Sequence, residues 1–243
     1  MNMMASLLAT DETLRYLLRE SDRKITPAMI EEGISIDLQI DDAYLNQYAP
    51  ILRLALSSCC HFLSCREEGS SPVLLIVDEA GRIAHEGQIE GLQQLLQIGR
   101  SKGTSVMLLL QSWSAMEASY SKADCEDMLT NLQYRLILQA APDAKDIVEM
   151  CKKAFGKYTE KKKSVSAGKS KGYTYSFEEK DVLEDTDLLS LPKKNKVVML
   201  SPYGAFMLDK CQYFSDKMLK TIAEDIREKR MQNKENGGKE DEL

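Results

Sequence analysis

Asp78 and Glu79 are adjacent carboxylates at the end of an unbroken apolar run, Val73-Leu74-Leu75-Ile76-Val77. Five Val, Leu and Ile residues without alternation suit a strand buried on both faces, as in a parallel α/β sheet. Such sheets bind ligands beyond the carboxyl ends of their strands. Two acids at that place have the layout of a Walker B element. There the aspartate holds Mg²⁺, usually through water, and the glutamate polarises an attacking water. The plain alternative is a strand that ends in two solvated acids.

A second apolar run, Ser105 to Leu110, ends in Gln111-Ser112 and is preceded by Gly99-Arg100-Ser101-Lys102-Gly103. A glutamine at this strand end can sense a γ-phosphate or hold the attacking water. Arg100, after a helix and before a strand, lies where ring ATPases project an arginine into a neighbour's site. Taken singly, Arg100 reads as a solvated helix-end cation and Gln111 as a strand terminus; beside Asp78-Glu79 the chemical roles are favoured. The sequence G-x-x-x-x-G-K-[ST], whose backbone amides cradle phosphates, does not occur. Its nearest approach is Gly168-Lys169-Ser170, where position 163 is Lys163 instead of glycine. That segment reads as a flexible Lys/Ser/Gly-rich loop. The 243 residues therefore carry the metal and water half of a nucleotide hydrolase without the phosphate-binding half.

The elements that must position these residues follow from periodicity. Residues 1 to 23 read as helical, with Leu7, Leu8, Leu14, Leu17 and Leu18 roughly on one face. Thr26-Pro27 opens a short helix that Gly33 closes. Ile34 to Ile40 alternate apolar and polar, which predicts a strand near a sheet edge. Residues 44 to 66 predict a helix with Pro50 as a kink or a start, and 88 to 99 another. The third strand is expected over Leu132 to Ala140, followed by a helix from Pro142-Asp143 to about Phe155. Strand and helix in alternation predict a mainly parallel sheet with helices on both faces. Residues 156 to 180 change texture and read as an exposed loop or hairpin. A terminal hairpin over 196 to 208, an amphipathic helix over 215 to 230 and a disordered tail over 231 to 243 complete the chain.

Composition narrows the classes. Net charge is −6, with 43% hydrophobic and 29% charged residues, ordinary for a soluble domain and without a global basic field. No apolar segment approaches ~18 residues, the length of a membrane span, and no signal peptide is expected. The six cysteines form no C-x-x-C pair, so reduced thiols are expected over a zinc site. Lys157 to Lys171, with Tyr158, Tyr173 and Tyr175, could hold a nucleic-acid backbone and stack bases, or could be a solvated linker.

The whole pattern resembles the type IV secretion coupling proteins of the TraG/TraD type, the hexameric DNA-pumping ATPases of conjugation. The resemblance covers about residues 25 to 214. It includes Gln47-Tyr48-Ala49-Pro50, Val73 to Ala80, Arg100 to Gly103 and Gln111-Ser112 with Trp113 to Tyr120. It closes with Asp187-Leu188-Leu189-x-Leu191-Pro192 and Lys210-x-x-Tyr213-Phe214, which speaks against HerA/FtsK-like or VirB-type motors. It implies a RecA-like P-loop NTPase core, here an α/β fold lacking the Walker A strand, with a C-terminal β-hairpin and helix. The expected organisation is a helical remnant (1 to 24), a partial ATPase core (25 to 155), a flexible basic loop (156 to 180), a strand and helix extension of the core (181 to 230) and the tail (231 to 243). By residue match, Asp78 would bind Mg²⁺, Glu79 would be the catalytic base, Gln111 the sensor and Arg100 an arginine finger acting in trans, with ATP as the cofactor.

The resemblance also implies partners: single-stranded DNA and relaxosome proteins, secretion-channel components, and further copies in a hexamer. The place would be the bacterial cytoplasm at the inner face of the cell membrane, reached through transmembrane segments absent from these 243 residues. Family members also carry the phosphate-binding strand and loop, which in RecA-like sheets lies between the strand ending at Gln111 and that of Leu132 to Ala140. Its absence is expected to leave a gap there, force those strands together, or require another chain. The 243-residue chain alone is expected to be inactive, either as part of a motor or as a degenerate, non-enzymatic docking module.

Overall fold

In the computed structural model, residues 10–17, 24–141, 144–166 and 172–237 are described. They fall into two compact units that divide between Leu132 and Gln133. Leu7, Leu8, Leu18, Pro142-Asp143 and Gly168-Lys169-Ser170 lie outside the described residues.

The first unit opens with helix α1 (Glu12–Leu17) and a 3-10 helix (Pro27–Glu32). The 3-10 helix ends at Gly33, whose φ of 79° only glycine adopts without strain. The segment Ile34 to Ile40 forms no strand, correcting the expectation from its alternation. Among the described residues no strand pairs with it, and Ile34 and Leu38 stay exposed; alternation makes a strand only where a ladder is available. Helix α2 (Leu45–Ser64) runs through Pro50 unbroken and buries Leu45, Ala49, Leu52, Leu56, Cys60 and Leu63 at helical spacing.

Strands β1 (Val73–Val77) and β2 (Thr104–Leu108) pair in parallel, with Val73 opposite Thr104 and Val77 opposite Leu108. Between them lie α3 (Ala80–Ile83) and α4 (Leu92–Ile98). The sequence predicts α4 from residue 88. It starts at Leu92 because Gly91 is left-handed (φ 78°), and the Tyr120 hydroxyl accepts from Ile89 N at 2.8 Å and donates to Ile89 O at 3.1 Å. Helices α5 (Ser114–Glu117) and α6 (Lys122–Asn131) follow, the latter held by a capping box between Ser121 and Asp124. One core joins Leu63, Ile89, Leu92, Leu95, Met116 and Met128. Burial pushes the Cys60 thiol up to about 12.

The opposite face of the β1–β2 pair carries Leu74, Ile76, Met107 and Leu109, each more than a third exposed. Among the described residues β2 has only β1 as a hydrogen-bonded neighbour.

The second unit contains β3 (Arg135–Ile137), shorter than the expected Leu132 to Ala140. It does not extend the parallel sheet; it pairs antiparallel with β6 (Lys196–Ser201), giving the order β3-β6-β7 with β7 (Gly204–Asp209). Helix α7 (Lys145–Phe155) and the short helices α8 (Asp185–Leu189) and α9 (Leu191–Lys194) pack Cys151, Leu188 and Leu191 against Ile137, Val198 and Leu200.

Strands β4 (Lys157–Ser166) and β5 (Gly172–Asp181) form a two-stranded antiparallel hairpin, the second of the two alternatives read for this segment. Helix α10 (Lys217–Gly237) runs seven residues beyond the expected end at 230; within the expected tail, residues 231 to 237 are therefore helical and 238 to 243 lie outside the described residues.

Candidate functional site

The carboxyl ends of β1 and β2 are tied together by main-chain bonds. Leu109 N donates to Val77 O at 3.0 Å, and Ala80 N donates to Leu109 O at 3.1 Å. Between those two bonds the chain must turn from strand into α3 within two residues, Asp78 and Glu79. Glu79 takes the left-handed conformation, φ 53° and ψ 34°, costly for a residue with a Cβ. Its amide donates to Asp78 Oδ1 at 2.9 Å, and its carbonyl accepts from Arg82 N at 2.9 Å and Ile83 N at 3.1 Å. These bonds hold the turn and aim the Glu79 carboxylate across to the end of β2. There Gln111 Nε2 donates to Glu79 Oε1 at 3.2 Å and Oε2 at 3.3 Å.

Asp78, Glu79 and Gln111 therefore share one strand-end site, as the sequence predicts. Asp78 and Gln111 are exposed, so a ligand has access to them. Gly81 lets this corner close: a Cβ there would sit 2.7 Å from the Ala115 Cβ of α5. Arg82, one turn on, is ion-paired to Asp42.

The donor set fits a magnesium ion in a limited way. Among the described residues no group of three or more His, Cys, Asp or Glu side chains could hold a metal. Magnesium keeps several waters and takes only one or two carboxylates plus substrate phosphates. Asp78 can supply one such carboxylate contact, directly or through water. The G-x-x-x-x-G-K-[ST] loop, whose amides and lysine hold phosphates, does not occur in the sequence.

Arg100 is not brought into this site. It is exposed and precedes β2, whereas Gln111 follows it. The five-residue strand alone separates the two ends by about 13 Å. The turn bearing Arg100 is rigidly held. Arg66 Nη1 donates to Lys102 O at 2.9 Å, Gly69 N to Ser101 O at 2.9 Å, and Val73 N to Gly103 O at 2.9 Å. Arg66, only 5% exposed, also pairs with Glu31 (Nε to Oε1 2.6 Å, Nη2 to Oε2 3.1 Å) and donates to Ser71 O at 2.6 Å. The Arg66 guanidinium holds the Glu31 carboxyl below its ordinary value of 4.5. Sequence reasoning missed this clamp, and no local signal marks it: its partners lie 35 residues apart.

Comparison with known proteins places this geometry. The family described as the TraM recognition site of TraD and TraG matches residues 72–193. The protein VirD4 of Rhizobium rhizogenes is 24% identical over 187 residues, covering 74% of this chain and 27% of VirD4. The VirD4 of Agrobacterium fabrum (strain C58 / ATCC 33970) is 25% identical over the same length. The chain spans about a quarter of the length of these curated relatives. Among solved structures, the plasmid coupling protein TrwB in complex with ADP and Mg²⁺ has a TM-score of 0.63 at 15% identity, covering 85% of this chain and 48% of TrwB. A trigonal form of the bacterial conjugative coupling protein TrwB with sulphate gives 0.64 at the same identity and coverage. This likeness is one of fold, a RecA-like α/β core. Since the family match takes in half of the sequence, the chain belongs to the TraD and TraG family of conjugative type IV coupling proteins and matches its C-terminal part.

Proposed function

We propose that this chain supplies the metal- and water-handling half of a coupling-protein ATPase, whose phosphate-binding half comes from sequence outside these 243 residues. The observation that carries this is the contact of Gln111 with Glu79 at the joined carboxyl ends of two parallel strands. Asp78 would hold the Mg²⁺ of a bound nucleotide. Glu79 accepts a proton from the attacking water, and Gln111 orients the Glu79 carboxylate and that water. ATP with Mg²⁺ supplies the phosphoryl group that is transferred. Arg100, remote from its own site and braced by Arg66, serves the site of a neighbouring copy in a hexameric ring.

The 243-residue chain alone does not hydrolyse ATP. Without a P-loop's amides and lysine most of the affinity for the β- and γ-phosphates is missing, and Asp78 and Glu79 repel the nucleotide. The exposed face of Leu74, Ile76, Met107 and Leu109 and the unpaired edge of β2 suit completion by a further strand and its helix.

In the complete assembly the work done is transfer of DNA with its relaxosome proteins to a type IV secretion channel, at the cytoplasmic face of the bacterial membrane. The name of the matched family, a recognition site for TraM, supports a relaxosome-protein partner for residues 72–193. No helix among the described residues is long and apolar enough to cross a membrane. The competing proposal is a degenerate docking module. Glu79→Gln in the native locus separates the two: conjugative transfer collapses if the chain is part of the motor. Transfer at the wild-type level, with normal accumulation of the variant, would leave only the docking role.

A further inference from the structure

The β4–β5 hairpin has two faces of different chemistry. Its register sets Tyr158 opposite Lys180, Glu160 opposite Glu178 and Lys162 opposite Ser176 on one face. That face is closed by ion pairs: Lys180 to Glu160 at 2.6 Å, and Lys162 to Glu178. The other face places Lys161 opposite Phe177. There the Lys161 Nζ lies 4.1 Å from the Tyr175 ring centroid and 6.0 Å from that of Phe177. Both rings are open to solvent, Tyr175 at 50% and Phe177 at 70%. The acids of this face, Glu179 and Asp181, sit toward the base, where Asp181 is paired with Lys152. From residue 161 to 177 the sequence holds Lys161, Lys162, Lys163, Lys169 and Lys171 and no acid.

A two-stranded ribbon that leaves rings open on one face, with the Lys161 ammonium beside them and no acid in the sequence from 161 to 177, is complementary to a polyanion with stackable planar groups. Duplex nucleic acid keeps its bases stacked on one another; a single strand offers both bases and phosphates. We propose that the Lys161–Tyr175–Phe177 face of the hairpin is a binding platform for single-stranded nucleic acid. Bases stack on Tyr175 and Phe177, and Lys161 pairs with the adjoining phosphate. The platform is sequence-tolerant, because any base presents a π-face. It is a site for the nucleic-acid substrate of the proposed function and rests on it to that extent. Binding is read without nucleotide or hydrolysis, so failure of the platform leaves the hydrolytic proposal standing, and the reverse.

The test uses the full chain and a fluorescein-labelled oligo(dT) of about 20 nucleotides, longer than a stacking site of ~4–16 nucleotides. Anisotropy is followed across a salt series, with unlabelled duplex of equal length and phosphatidylserine/phosphatidylcholine vesicles as competitors. The expected result is that Tyr175→Ala and Phe177→Ala each weaken binding about tenfold, while Tyr175→Trp retains it. Lys161→Gln weakens binding and lowers the salt slope by ~0.7. Lys162→Gln, the same charge loss on the ion-paired face, changes binding less. If the alanine variants fail to fold, the tryptophan variant and the comparison of Lys161 with Lys162 still decide. The proposal is overturned if Tyr175→Ala and Phe177→Ala bind as the parent does, or if Lys161→Gln and Lys162→Gln lose affinity equally. It is also overturned if duplex or anionic vesicles bind while oligo(dT) does not.

Discussion

Glu79 is one of two non-glycine residues with positive φ among the described residues, the other being Asn195. A left-handed residue with a side chain costs about 1–2 kcal/mol, and such strain gathers where a side chain must be aimed. Here it turns the carboxylate of one strand end toward Gln111 of the next. The corner depends on close packing as well. Gly81 leaves no room for a methyl group against Ala115, whose Cβ would lie 2.7 Å away. Gly81→Ala is therefore expected to destabilise the first unit by about 1–3 kcal/mol through overpacking. The compensating pair Gly81→Ala with Ala115→Gly should recover most of that loss. Urea unfolding midpoints of the parent and the two variants check this; equal stability of Gly81→Ala and the parent would show that α3 does not rest on α5 in this way.

At the scale of elements, the Arg66 clamp joins the 3-10 helix, the end of α2 and the turn before β2. Glu31 is held ionised by the guanidinium, below its ordinary 4.5. A depressed carboxyl stabilises the fold fully above its unfolded value, and that stability is lost as pH falls through the lower folded value. Thermal unfolding from pH 7 to 3 should therefore show the parent losing more stability on acidification than Glu31→Gln, with the curves converging at the acid end. Parallel curves would mean that the pair does not brace the turn. This clamp was not legible in the sequence, because the partners are distant and a buried arginine looks like any other. The strands β1 and β2 were legible within a residue or two, since an unbroken Val/Ile/Leu run between turn signals has few other fates. Ile34 to Ile40 misled for the opposite reason: its alternation is local, but a strand also needs a neighbour. The basic segment after Gly156 left loop and hairpin open. Its lysines and serines suit a loop as well as a solvated ribbon, so composition did not decide between them.

For the molecule as a whole, the strand-end corner was legible in the sequence. Asp78, Glu79 and Gln111 meet where the apolar runs end, and Arg100 stands at the other end of the same sheet. The phosphate-binding loop motif does not occur in these 243 residues, and the proposed function assigns that part to another segment. On the proposed reading, the exposed apolar sheet face and, among the described residues, the free edge of β2 suit completion by a further segment. The most direct measurement is steady-state Mg-ATP hydrolysis by the 243-residue chain, alone and joined to the phosphate-loop strand and loop of a coupling protein, with Glu79→Gln as the matched control. No turnover alone, turnover in the joined protein and its loss by a factor of about 10²–10⁴ in Glu79→Gln is the predicted result. Hydrolysis by the chain alone, or an inert joined protein that nonetheless binds nucleotide, would contradict the account.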